Sequence, residues 1–290
     1  MGSILVNQNK PENIKCLAAM RQLYSEGKTL VMLQLVLTIP VTIILSLLKL
    51  VPKETLGFDI APYAALYAVL VLVLDLYVVN YLTGQKRTDA ARIQELFDCE
   101  VYGMGWSSFF AGKKPDRELV NKKSSEYTDR PDAPLQDWYP TEIEQLPHEQ
   151  AILVCQRTNL YYDSSLRRRY RLIIIWLAAV SLFLMLLDAL ITGLGIAEFF
   201  ILIVVPFLPV FSVTQKIMAD HSKSIKAATD LHQAVAALEA AGEAPSMEKL
   251  REIQSKIYCH RKDSPLIPDF FYYKRRDKHE KEMHENALLK

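Results

Sequence analysis

The residues of most chemical consequence in this chain are acids and prolines placed where apolar side chains are the rule. Asp75 lies inside the apolar run 60–82, Asp188 near the end of 172–193, and Glu198 near the start of 196–215, a run that also holds Pro206 and Pro209. A carboxylate in a lipid-length apolar segment is costly and tends to face a partner, a cavity or an ion path. Asp75 is the deepest of the three, so a structural hydrogen bond and a pore or gating role are both open to it. Asp188 and Glu198 lie close enough to the ends of their runs to reach the interface. Pro206 and Pro209 remove backbone donors and loosen their run, as a hinge or as a static kink.

A second group pairs basic side chains with aromatics. Arg157 with Tyr161 and Tyr162, the loop pair Lys113 and Lys114, and Trp138 are the side chains suited to an anionic, base-bearing ligand, by charge and by stacking. Arg167, Arg168 and Arg169 abut an apolar run, where topology and anionic lipid account for them. Cys99, Cys155 and Cys259 with His148 or His260 offer zinc-ligand atoms. They share no C-x-x-C spacing, and together with Cys16 they read as ordinary reduced thiols. No metal or cofactor is expected. The phosphate-loop, dinucleotide, metalloprotease and nucleophile-elbow patterns are absent from the sequence, so the chain does not read as an enzyme. A net charge of +1 argues against binding a nucleic acid polymer.

The elements that position these residues follow from hydropathy. Runs 29–48, 60–82, 172–193 and 196–215 each match the roughly 20 residues that cross a bilayer as a helix. Half the residues are hydrophobic, yet mean hydropathy is only +0.07, because charged segments alternate with the apolar ones. The reading is an all-α integral membrane protein with four transmembrane helices in two hairpins and a cytoplasmic helical region. It divides into an N-terminal helix (1–28), hairpin one (29–82), a sensing or linker region (83–171), hairpin two (172–215), and a C-terminal helical hairpin with tail (216–290). The first run is longer than a signal-peptide core and reads as retained. Lys10, Lys15, Arg21 and Lys28 precede it; Lys86, Arg87, Arg92 and Arg171 lie between the hairpins; Lys216, Lys223 and Lys226 follow the last run. The positive-inside rule then puts both termini and the central segment in the cytoplasm. Outside the spans, helical spacing predicts helices over 12–25, 86–99, 116–128, 148–158 and 216–241. A further helix opens at a Ser246 cap. A short β-hairpin near 99–113 is also compatible with the pattern.

Several strings, in this order around two helical hairpins, carry a resemblance. They are Asn13–Tyr24 (NIKCLAAMRQLY), Ile93–Cys99 (IQELFDC), Gly112–Asp116 (GKKPD), Asp137–Pro140 (DWYP), Cys155–Asn159 (CQRTN), Leu166–Tyr170 (LRRRY) and His260–Asp269 (HRKDSPLIPD). The chain resembles the SMODS-associated four-transmembrane effectors of bacterial CBASS anti-phage systems over nearly its whole length. The resemblance implies a multi-pass protein of the bacterial inner membrane. Such a protein would sense a cyclic oligonucleotide through its cytoplasmic region, form a homo-oligomer and breach the bilayer, causing abortive infection. It carries over no ligand-contact residues. The alternative is a membrane-anchored nucleotide-binding or scaffold protein that recruits a partner and leaves the membrane sealed.

Overall fold

The computed structural model describes residues 3–48, 51, 53–128, 134–161, 163–193, 195–240 and 245–269. A short helix α1 (Ile4–Gln8) precedes α2 (Pro11–Thr38), which runs from the polar N-terminal segment straight into the first apolar run. α2 stops because Pro40 has no amide to offer the carbonyl one turn back, and α3 (Pro40–Leu48) resumes at once. After α4 (Lys53–Leu56), Asp59 accepts from the Ala61 amide at 3.0 Å where α5 (Ala61–Leu74) begins. A π-helical turn, Asp75–Val79, joins α5 to α6 (Asn80–Tyr102), which Gly103 ends at φ 69°. Glycine supplies that left-handed conformation without a Cβ clash.

Next come α7 (Ser108–Ala111), α8 (Arg117–Glu126), a 3₁₀ turn (Thr141–Gln145), α9 (His148–Tyr161) and α10 (Asp163–Thr192). α11 (Ile196–Phe199) passes through a second π-helical turn, Phe200–Val204, into α12 (Val205–Ala240); α13 (Met247–Asp263) follows. Ser246 caps α13 as expected, accepting from the Lys249 amide at 3.3 Å. No strand occurs among the described residues. The hairpin considered near 99–113 gives way to the end of α6 and the single turn of α7. The helix runs on through the start of that stretch because Val101 and Tyr102 pack into the body core.

Among the described residues, four helical segments are long and apolar enough to cross a membrane: Pro11–Leu48, Ala61–Tyr102, Leu166–Ile191 and Ile196–Ala240. Leu70, Val73, Trp176, Phe183 and Leu190 are exposed on their outer faces, as a lipid-facing surface requires. The chain is therefore an all-α, multi-pass membrane protein. At 38, 42 and 45 residues, three of the four segments run to about twice the roughly 20 that hydrocarbon demands, so their surplus turns build a helical body outside it. The body's core takes Leu17, Met20 and Leu23 from α2, Ile93, Phe97 and Val101 from α6, Ile152 from α9, Val235 from α12, and Leu250 and Ile253 from α13. Each of these large side chains contributes about 1.5–3 kcal/mol by leaving water. The N-terminal helix thus packs into this core instead of lying on the membrane surface. Where body meets membrane, Leu35, Ile39, Ile174 and Val213 form a second core that also holds Ile267, from the segment after α13.

Candidate functional site

Glu95 and Asp98 sit one turn apart on α6 with no exposure at all. Burying an unpaired carboxylate costs several kcal/mol, so partners are obligatory. α13 supplies them from one face. Arg251 donates to Glu95 at 2.7 Å and approaches Cys99 Sγ at 3.1 Å; Gln254 donates to Glu95 at 2.8 Å and to Asp98 at 2.9 Å; Arg261 donates to Asp98 at 2.5 Å. The second Asp98 oxygen accepts from the Tyr139 hydroxyl at 2.9 Å. That hydroxyl accepts from Tyr102 at 2.6 Å and from Asn159 of α9 at 3.2 Å. Gln156 of α9 donates to the Leu250 carbonyl at 3.0 Å and to Gln254 at 3.2 Å. The loop before Tyr139 is turned inward by Asp137 at φ 52°, a left-handed conformation that short polar side chains tolerate. Asn9 holds it there, donating to the Asp137 carboxylate at 2.8 Å and accepting its amide at 3.0 Å.

Burial, with Asp98 beside it, pushes the Glu95 carboxyl up, against the pull of Gln254 and the arginines. Burial alone would lower the Arg261 guanidinium, but Asp98 outweighs it and holds the guanidinium up. Burial and Glu95 push the Cys99 thiol up to about 12, and burial and Glu100 push Cys16 up to about 11. Neither is a thiolate at neutral pH, and thiolates are what react and bind metal. His148 faces the Tyr102 carbonyl at 3.1 Å, and no group of three metal-ligating side chains converges among the described residues. The network is a clamp joining α6, α9, α13 and the Tyr139 loop.

Beside this clamp a cavity of about 670 Å³ opens between α12 and α13, with Arg87 of α6 and Phe110 of α7 on its walls. That volume suits a ligand of small-molecule size. Arg87, Lys223 and Lys256 give it cationic groups, Lys256 paired with Glu252 at 2.7 Å, and His260 adds an imidazole; Asp220, Asp230 and Asp263 also face it. Ser224 and Ser264 hydrogen-bond at 2.7 Å in its lining. Behind it Arg167 donates to the Pro265 carbonyl at 2.7 Å and meets His221 at 3.3 Å, so this arginine is buried in the body, not spread on lipid.

The residues singled out from sequence do not gather in one place. Arg157 pairs with Glu239 of α12 at 3.0 Å, half-buried. Lys113 pairs with Asp116 at 3.0 Å on the surface, and Lys114 is exposed beside it. Trp138 packs edge-on against Phe97, with the Arg21 guanidinium 5.1 Å above its ring. Tyr161 ends α9, and Tyr162 lies outside the described residues. Arg157, Lys113, Lys114 and Trp138 do not line the cavity. In the membrane part, the Asp75 carboxylate accepts from Gln34, Glu198 accepts from the Gly195 amide at 3.0 Å, and Asp188 is buried on α10. Pro206 and Pro209 are both buried on the inner face of α12.

Glu95 and Asp98 were not among the residues singled out from sequence. Their signal lies in the resemblance strings themselves: IQELFDC holds both acids, DWYP holds Tyr139, CQRTN holds Gln156 and Asn159, and HRKDSPLIPD holds Arg261. Four separated strings meet in one hydrogen-bonded network.

Comparison with known proteins agrees with this architecture. No solved structure matches the chain. A protein of Bacillus cereus (strain VD146) described as a "Probable CBASS effector molecule" is 24% identical over 283 residues, covering 97% of this chain and 95% of that one. The family model for the SMODS-associating 4TM effector domain matches residues 2–288. With four spans, a clamped helical body and a match of that length, the chain belongs to the SMODS-associating 4TM effector family.

Proposed function

We propose that this protein is an anti-phage defence effector of the bacterial inner membrane. Its helical body lies in the cytoplasm, senses a cyclic oligonucleotide in the α12–α13 cavity, and drives assembly of homo-oligomers that breach the bilayer. Family membership and the relative's description support the defence role. The Lys and Arg bias on the body side of the spans supports the orientation. Phe110 offers a stacking surface, and Arg87 and Lys223 offer charge to phosphates.

The observation that carries the reading is continuity. α12 is one helix from Val205 to Ala240: it lines the cavity with Lys223 and Asp230 and then enters the membrane at Pro206 and Pro209. A ligand that binds one position of α12 better than another shifts the span by its differential affinity. The test is dye release from liposomes bearing the full chain, with a panel of cyclic di- and trinucleotides. One nucleotide should trigger release. Lys223→Ala and Arg87→Ala should each raise its half-effective concentration roughly tenfold, the scale of one charge-assisted hydrogen bond. Arg157→Ala and Trp138→Ala serve as comparators for the sites expected from sequence. Nucleotide binding with a sealed membrane would favour the anchored-scaffold alternative instead.

A further inference from the structure

Buried polar side chains form a file through the membrane part of the bundle. Gln34, Thr38, Thr42 and Ser46 recur every four residues along α2 and α3, and each is more than nine-tenths buried. Ser181 and Asp188, also buried, interrupt the inward stripe of α10 that is otherwise Ile174, Ala178 and Met185. α3 packs against α5, α10 and α12, so its hydroxyls face the bundle interior. At the body end of the file the Gln34 amide meets Asp75, and Lys216 of α12 pairs with Asn80. At the opposite end a cavity of about 300 Å³ is lined by Lys53, Asp59, Asp188 and Glu198. At about 1.5 Å per residue, Gln34 to Ser46 spans about 18 Å, more than half of a hydrocarbon core about 30 Å thick.

The hydroxyls themselves are anomalous. A helical Ser or Thr ordinarily returns its proton to the carbonyl four residues back. Thr83 does so to Val79 at 2.7 Å and Thr158 to Val154 at 2.9 Å. Thr38, Thr42, Ser46 and Ser181 have no hydrogen-bond partner among the described residues. A helix that served only as an anchor would carry valine or leucine there. The backbone is also irregular beside the file, with the break at Pro40 and the π-helical turn that begins at Asp75. π-Helical turns concentrate at functional sites.

We propose that this file is a conduction path for small monovalent cations, hydronium included, within each four-helix bundle. The carboxylates near its two ends draw cations in, and hydroxyl lone pairs take over hydration step by step between them. Lys216, held on Asn80 at the end of the π-helical turn that begins at Asp75, is the tethered cation that closes the body-side mouth. The inference rests on the membrane-effector reading but needs no opening between subunits, and a path this narrow passes ions while retaining dyes.

The test uses the full chain in phosphatidylcholine–phosphatidylglycerol vesicles, with and without the cyclic-nucleotide panel. Potassium flux and proton flux are read separately, and release of entrapped carboxyfluorescein is read in parallel. The double variant Thr38→Val, Thr42→Val keeps volume and removes hydroxyls. It should cut ion flux at least about tenfold, equivalent to about 1.4 kcal/mol on the barrier, while its melting temperature holds or rises. Lys216→Gln should raise the flux. Ion flux unchanged in the double variant, or no ion flux from the wild type under any condition, overturns the proposal. Dye release that is absent while ion flux persists overturns only the assembly reading.

Discussion

Glu26 of α2 accepts from Lys86 of α6 at 2.5 Å and from Lys123 of α8 at 2.6 Å, so one carboxylate ties three helices. Burial pushes this group up, but the hydrogen bonds from Lys123, Lys86 and Gln22 win and bring it from 4.5 down to about 2. A folded-state value below the unfolded one means that the stability from these pairs is full above pH 4.5 and drains as pH falls toward about 2. Thermal melts in detergent across that window should show a slope that Glu26→Gln flattens. The clamp behaves differently. Arg251→Ala leaves Glu95 buried with the Gln254 amide and the weak Cys99 thiol donor but no paired cation, and truncating one side of a buried pair costs about 3–5 kcal/mol; a drop in melting temperature measures it. Cys16 and Cys99, as protonated buried thiols, should resist maleimide at pH 8 until denaturant is added, which mass spectrometry of the labelled protein reads directly. None of these roles was legible residue by residue. Periodicity marks a face of α6, but whether an acid on that face meets water or Arg251 is decided 156 residues downstream.

The elements were far more readable. A run of about 20 apolar residues has few folded solutions besides a span, so the four spans follow from hydropathy alone. Pro40 interrupts the first of them, between α2 and α3. The two π-helical turns were not foreseeable, because an extra residue in a turn leaves no mark on composition. Span four is where backbone chemistry should matter most. Pro209→Ala restores an amide for the Val205 carbonyl and straightens the inner face of α12. The expected result is a modest rise in melting temperature together with weaker membrane permeabilisation in the dye-release assay. Gly27 marks a different junction. A Cβ there would meet Leu266 Cδ1 at 2.5 Å, the far end of a flexible side chain. Gly27→Ala should be tolerated after Leu266 turns aside, whereas Gly27→Ile overpacks the contact at about 1–3 kcal/mol, measured as a loss of melting temperature.

At the scale of the molecule, α2, the continuous segment from α5 through α6, and α12 each belong to both compartments, membrane at one end and body core at the other. A tilt of any of them is felt in both places without an intervening linker. The same continuity explains why the residues chosen from sequence scatter. Charge and aromaticity mark side chains able to bind, but Arg157 and Lys113 have their charges taken up by Glu239 and Asp116. The cavity is instead assembled from Arg87, Lys223 and Lys256, residues of three helices that no local string contains.

The late position of α13 has a consequence for biogenesis. The clamp closes only when Arg251 reaches Glu95, 156 residues earlier, and Arg261 reaches Asp98, 163 residues earlier. Contacts so distant form after the intervening chain has left the ribosome. The insertion machinery therefore receives all four spans while the body is still an open set of helices whose acids face water. A nascent chain of this effector is seated in the bilayer before its α12–α13 cavity exists. The cell thus carries the protein through synthesis in a form that lacks one wall of that cavity.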